Sequence, residues 1–261
     1  MNSNYLIGSD PELFLTDSTG KIITAIGKIP GTKETPYQPS ELAPGFGLQT
    51  DNILAEFNIP PIQKEQQLID NMNTMKEYIL LYLQKNGFNL KLACQASAIV
   101  DMDQLTDENS FVFGCDPDFS CYTNDKNPTP SLFNPFLRSA GCHWHLGYKD
   151  ISVEKGLRLI KYMDMFLGVP SVIYDSDTDR RDLYGKAGSF RFQKHGVEYR
   201  TLSSYFISSN ETISFCYKQI EKVVNAYESN IPLIPKEEVF ETINNNNTDL
   251  ANELIKKYKL L

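Results

Sequence analysis

The sequence predicts an α+β fold, an antiparallel sheet with helices covering one face. Three observations carry that prediction. Short segments alternating apolar and polar residues are bounded by Gly, Pro and Asn. Other, longer segments repeat apolar residues every three or four positions, and the two kinds follow no regular βαβ rhythm.

In chain order, residues 5–7, 12–16 and 21–25 read as short strands separated by turns, and residues 53–59 as a strand ended by Pro60 and Pro61. Residues 64–85 read as a helix, because Leu68, Ile69, Met72, Met75, Ile79, Leu80 and Leu83 fall on one face and Gly87 supplies a stop. Residues 88–99 alternate as a strand. Residues 101–135, rich in Asp, Asn, Pro and Gly, read as a long irregular loop of the kind that often carries function. Residues 138–147 return to strand, and 153–166 to helix through Leu157, Ile160 and Met163. Residues 189–203 resemble a hairpin turned at Lys194, His195 and Gly196, and residues 212–227 a second long amphipathic helix. The asparagine tract at 244–247 reads as a linker, with Thr248 capping a short final helix. The predicted organisation is one domain over residues 1–243, then linker and helix over 244–261.

Hydrophobic residues make up 41% of the 261 and charged residues 22%, an ordinary balance for a folded chain with a sizeable core. The net charge of −8 argues against nucleic acid as a partner, since phosphate neutralisation needs clustered Lys and Arg. Cys94, Cys115, Cys121, Cys142 and Cys216 are odd in number and lack CxxC spacing. They read as reduced thiols, so a cytoplasmic protein is expected rather than a disulfide scaffold or zinc ribbon. No run approaches the roughly 20 apolar residues of a membrane span, and MNSNYLIGSDPE resembles no leader. Neither membrane insertion nor secretion is expected.

Side chains at i and i+2 of a strand share a face, so Asp10/Glu12, Glu56/Asn58, His143/His145 and Glu198/Arg200 each project two polar groups together. The opposite faces carry Leu13, Phe57, Trp144, Leu146, Val197 and Tyr199, which suit packing against helices. A solvated sheet face accounts for any one such pair. Four in a row, three of them supplying Glu and one two His, point to chemistry: converging carboxylates repel unless a cation sits between them, and Mg²⁺ favours oxygen ligands. GCHWHLG alone is equally compatible with a structural His pair or a transition-metal site. Around Glu198, Arg180, Arg181, Lys186, Arg191, Lys194 and Arg200 form a local positive excess able to hold phosphate and carboxylate, although Arg181 and Lys194 suit surface salt bridges equally well. Gly185 and Gly188 suggest a turn free to close over ligand. Lys33, between Gly31 and Pro36, is either a solvated charge or a contact for phosphate or carboxylate. No GxxxxGK[ST], GxGxxG, GxSxG or HExxH motif occurs. Cys142 beside His143 makes a poor nucleophile pair, because neighbouring strand residues point to opposite faces.

The ordered set GSDPELFL, GTKETP, QTDNILAEFNIPP, GCDPDF, RSAGCHWHLG, YGKAGSFRF and GVEYRTLS resembles the phage-type amidoligases (carboxylate-amine ligases, type 2), relatives of glutamine synthetase and γ-glutamylcysteine ligase. It spans about three quarters of the chain. The resemblance implies a single glutamine-synthetase-like catalytic domain, with an antiparallel sheet curved into a half-funnel and helices outside. It also implies ATP and Mg²⁺, with Mn²⁺ as an alternative, on the concave face. It assigns Glu12, Glu56 and Glu198 to metal, His143 and His145 to metal or nucleotide phosphate, and Arg191, Arg200 and Glu198 to the catalytic centre. Lys33, Arg138 and Arg180 follow as further nucleotide or substrate contacts, and Asp51 and Asn58 as support. Asp10 stands where γ-glutamylcysteine ligases carry a glutamate, which argues against a direct role for it. The activity so implied is ATP-dependent amide or peptide bond formation through an acyl phosphate, on small-molecule or peptide carboxylates and amines. It would run in the cytoplasm, that of the host if the chain is phage-encoded, with self-association left open. The alternatives are a metal-dependent hydrolase and a non-catalytic phage protein retaining the fold.

Overall fold

The computed structural model describes residues 5–111, 118–127, 134–148 and 151–261. Strand β1 (Tyr5–Thr16) runs unbroken where the sequence suggested a turn. Pro11 stands opposite Cys142, whose own N–H points away to the carbonyl of Leu202 at 3.0 Å, so Pro11 removes no ladder bond toward the strand of Cys142. Strand β2 (Ile22–Ile23) pairs with the end of β1, and β3 (Gly47–Asp51) with β4 (Leu54–Asn58) forms a hairpin that turns through Asn52 in the left-handed region at φ 52°. The sequence reading missed β3, whose alternation is too brief to signal a strand.

Helix α1 (Glu65–Lys85) buries Leu68, Met72, Met75, Ile79 and Leu83 and stops at Gly87 with φ 83°, as expected; Leu80 is 40% exposed. The expected strand over 88–99 divides into β5 (Lys91–Ala93), which pairs with β1, and β6 (Ser97–Ile99). Within and beyond the predicted loop lie β7 (Phe119–Ser120), β8 (Leu137–Ser139) and β9 (Cys142–Tyr148). β8 leaves the main sheet to pair with β6. Ser152 caps α2 (Val153–Met163), which passes through a π turn (Asp164–Gly168) into α3 (Val169–Tyr174), so the helical run extends beyond residue 166.

After α4 (Arg180–Leu183), β10 (Ser189–Gln193) and β11 (Gly196–Tyr199) form the expected hairpin, which ends at Tyr199. The capping box of Ser209 and Thr212 starts α5 (Asn210–Glu228). Helix α6 (Lys236–Asn244) takes in the first residue of the asparagine tract, and Asn247 rather than Thr248 caps α7 (Thr248–Tyr258). Ala251, Leu254 and Leu260 are buried in the same core as the sheet, so the C-terminal helix is packed against the body.

The architecture is mixed α/β around a large antiparallel sheet. Among the described residues this sheet has nine strands, ordered β3-β4-β1-β9-β11-β10-β7, with β2 and β5 attached to β1. Its covered face brings Leu13, Leu48, Phe57, Trp144, Leu146, Val197 and Tyr199 against α1, α2 and α5 through Leu68, Met72, Ile160, Ile220 and Val223. Burying apolar area of this kind is the main stabilising term. No helix among the described residues is long and apolar enough to cross a membrane. The opposite face of the sheet is polar.

Candidate active site

Strand register assembles the polar face from residues far apart in sequence. β1 and β4 set Glu12 opposite Glu56; β1 and β9 set Asp10 opposite His143; β9 and β11 set His145 opposite Glu198; and β10 sets Arg191 opposite Glu198. Gly8 stands opposite His145.

Asp10 lies between the two imidazoles. Its Oδ1 is 3.3 Å from His143 Nδ1 and 3.1 Å from His145 Nε2, and His143 Nδ1 is 3.7 Å from Glu198 Oε1. The His145 contact is misaligned for a hydrogen bond: Asp10 Oδ1 and His145 Nε2 are both buried and make none. Glu198 is fully buried, with Arg200 donating to Oε1, Gln193 donating to Oε2, and Arg191 Nη1 3.8 Å from Oε2. Glu12 Oε2 accepts from the backbone N–H of Gly141 at 2.6 Å, and Glu56 Oε2 from Gln49 at 2.7 Å.

The carboxylates fall into two electrostatic classes. Burial pushes Asp10 up, but the adjacent imidazoles outweigh it and hold the group far below the ordinary carboxylate range. Burial and Asp10 likewise push Glu198 up, and Arg200 with both histidines brings it below its ordinary value. At Glu12, burial and the charge of Asp51 win over His143, and the pKa is raised. Burial, then Asp10, Glu12 and Asp51, push Glu56 well above its ordinary value. His145 is raised as well, because Asp10 and Glu198 outweigh its burial.

These residues fit a divalent cation. Asp10, His143 and Glu198 offer ligand atoms all within 4.8 Å of one another. The unbonded Asp10 Oδ1 and the buried carboxylates facing each other across β1 and β4 are what such an ion would satisfy. Asp10, set aside in the sequence reading, thus belongs to the tightest cluster; Glu12 and Glu56, read there as ligands, sit one strand pair further on.

Of the other expected site residues, Arg180 borders His143, both reaching within 3.1 Å of a Cβ built on Gly141, and the rest lie elsewhere. Arg138 is on β8 in the small sheet, where its guanidinium donates to the carbonyls of Ser110, Pro135 and Leu137 and to Asn52 Oδ1. Arg180 donates to the carbonyls of Ala140, Arg200, Thr201 and Leu202, clamping the backbone that precedes β9 to the segment following β11. Arg181 is buried and donates to the Gly185 carbonyl. Gly185 and Gly188 have φ of 76° and 72° and are packed, so the free turn expected there is a fixed one. Asn58 is spent on the Gly45 carbonyl at 2.7 Å. Lys33 and Asp51 line a cleft at the β3 edge. Cys142 is buried on the core face, away from the imidazoles. The expected motif at 114–119 falls largely on residues outside the described ones, as does Cys115.

Fold and face together define a class: an antiparallel-sheet protein with a helical layer on one side and, on the other, a polar face whose Asp10, His143 and Glu198 could hold a metal ion. Residues 133–238 match the family described as phage phiEco32-like COOH.NH2 ligase-type 2, which bears out over that stretch the resemblance read from the motifs. The matched segment carries His143, His145, Arg191, Glu198 and Arg200; β1 and β4, with Asp10, Glu12 and Glu56, precede it. A comparison with curated proteins gives no match.

Proposed function

We propose that the chain is an ATP-dependent carboxylate-amine ligase working with Mg²⁺ or Mn²⁺, in a glutamine-synthetase-like arrangement. The carrying observation is the Asp10–His143–Glu198 cluster on the polar sheet face, flanked by Arg191 and Arg200, with all but Asp10 in a segment that matches a carboxylate-amine ligase family.

Asp10, His143 and Glu198 would hold the cation, with Glu12 and Glu56 beside them. When bound, the ion supplies charge neutralisation for transferring phosphoryl oxygens. Arg191 and Arg200, pointing into the same face, bind phosphate or the substrate carboxylate, and His145, biased toward its cationic form, adds a donor. In the first step a substrate carboxylate oxygen attacks the γ-phosphorus of ATP; the bond to the β-phosphate oxygen breaks, giving an acyl phosphate and ADP. In the second, an amine nitrogen attacks the acyl carbon, phosphate leaves with the C–O electron pair, and the nitrogen loses a proton. No protein nucleophile is needed; alignment of the two substrates supplies the remaining acceleration. Substrates are small-molecule or peptide carboxylates and amines, and the setting is the cytoplasm.

The test is ADP release from ATP with Mg²⁺ and pooled carboxylates and amines, comparing the wild type with Glu198→Gln. Substrate-stimulated ADP with a product of amide mass, lost in the variant, supports the ligase. Hydrolysis of a simple ester or phosphate with metal but without ATP would put a metallohydrolase in its place.

A further inference from the structure

At the edge of the sheet beyond β4 lies a cleft of about 720 Å³, lined on one side by Ile26, Ile29 and Lys33 and on the other by Asp51, Asn52 and Asn109. Its walls are preformed. The 26–34 loop is tied to β3 through Thr50, which donates its N–H to the Gly31 carbonyl and its hydroxyl to the Ile29 carbonyl, both at 3.2 Å. Gly31 takes a left-handed φ of 83° where a Cβ would lie 2.5 Å from the Tyr37 nitrogen, so only glycine lets the loop fold back. Across the cleft, Asn52 Nδ2 donates to the Ser110 carbonyl at 2.9 Å, and the buried Arg138 grips both Asn52 and Ser110. Arg138 thus acts as a buttress of this wall.

Two features say what the cleft receives. It lies beside the carboxylate row, since Asp51 falls on the same face of β3 as Gln49, which stands opposite Glu56 and donates to it at 2.7 Å. It also lies at the opposite side of the sheet from the arginines. With the order β3-β4-β1-β9-β11-β10, four strand spacings of about 4.8 Å, or about 19 Å in all, separate β3 from β11. A triphosphate belongs with Arg191 and Arg200, whereas a cleft offering one lysine and the carboxylates of Glu34 and Asp51 is poorly suited to polyphosphate. The central strands β1 and β9, bearing Asp10 and His143, lie between the two.

We infer that this cleft is the subsite for the amine substrate, and that the substrate is a zwitterion, an amino acid or short peptide. Asp51 draws its ammonium toward the reacting centre and Lys33 takes its carboxylate. The inference rests on the ligase reading and deepens it. A bare polyamine is disfavoured by Lys33; a dicarboxylate is disfavoured by Asp51 and Glu34. The volume accommodates an amino acid or a dipeptide.

The experiment separates the two claims by the choice of acceptor. Full-length protein is incubated with ATP, Mg²⁺ and pooled carboxylates, and offered free amino acids and dipeptides, ethylamine, or hydroxylamine. Hydroxylamine captures an acyl phosphate as the hydroxamate without needing a carboxylate contact. The expected result is amide formation with amino acids or dipeptides at a KM about tenfold or more below that of ethylamine, since a charge-assisted contact has that worth. Lys33→Ala should raise that KM by about tenfold and lower the amide-to-hydroxamate ratio to match, with Lys33→Arg restoring most of it. Equal use of ethylamine and amino acids, or a Lys33→Ala effect confined to the KM for ATP, would overturn the subsite while hydroxamate formation left the ligase standing. Absence of hydroxamate with every carboxylate would remove both.

Discussion

Replacing Asp164 by Asn should change how stability depends on pH, by an amount that follows from its surroundings. Asp164 sits in the π turn, fully buried beneath the sheet; its Oδ1 accepts from the Tyr199 hydroxyl at 2.8 Å and its Oδ2 from the Tyr122 hydroxyl at 3.0 Å. Burial outweighs these donors and pushes the carboxyl from its ordinary 3.8 up to about 6. A carboxyl raised in the folded state keeps its proton after the unfolded chain has lost its own. The associated stability is therefore complete below pH 3.8 and is lost as pH rises to about 6, with no further change above. At 1.36 kcal/mol per pH unit over that window, the loss is about 3 kcal/mol. Asn carries no charge and escapes this loss. It satisfies one phenol as acceptor and must meet the other with its NH₂, a cost of about 1 kcal/mol that does not vary with pH. The assay is urea unfolding of both proteins from pH 4 to pH 8 at fixed ionic strength. The stability difference should shift in favour of the variant by about 2.5 kcal/mol between the ends of that range, part of the full change having occurred below pH 4, and flatten above pH 7. Parallel profiles would show that folding does not raise the Asp164 carboxyl, and a difference still growing above pH 7 would show that it is not ionised there.

Three further outcomes follow from the same structure. Mn²⁺ or Mg²⁺ should raise the melting temperature of the wild type, and Asp10→Asn should abolish most of that rise, measured by calorimetry with and without a chelator. Gly188→Ala should cost about 2–4 kcal/mol, because φ is 72° and the added Cβ would lie 2.7 Å from the Tyr122 ring and 2.9 Å from Cys121 Sγ; denaturant unfolding reads it directly. Arg180→Met should destabilise by about 3 kcal/mol, since it removes a buried guanidinium that donates to the carbonyls of Ala140, Arg200, Thr201 and Leu202, again seen as a lowered unfolding midpoint.

The polar face was legible in the sequence because strand periodicity alone puts Asp10 with Glu12 and His143 with His145. The apolar partners Leu13, Phe57, Trp144 and Val197 were legible for the same reason and fill the core as expected. Register was not legible. That Asp10 meets His143 and Glu12 meets Glu56 is decided by pairings between segments tens to more than a hundred residues apart, and this promoted Asp10 over the more distant Glu12 and Glu56. The backbone roles of Arg138 and Arg180 were not legible either: an arginine within a charged, strand-like segment reads as a ligand contact, and both are also buried donors to backbone carbonyls. Asp164 gave no signal: one aspartate in an amphipathic helix ordinarily marks the solvent side, and only the π turn rotates it toward Tyr199.

The central claim, that this face activates a carboxylate with ATP, is tested most directly by hydroxamate formation. Purified full-length chain, ATP, Mn²⁺ or Mg²⁺, hydroxylamine and pooled carboxylates should give a hydroxamate and an equal amount of ADP, both lost on chelation and in Glu198→Gln. ADP release without hydroxamate from any carboxylate, or hydroxamate formation unaffected by chelator and by Glu198→Gln, would contradict the account.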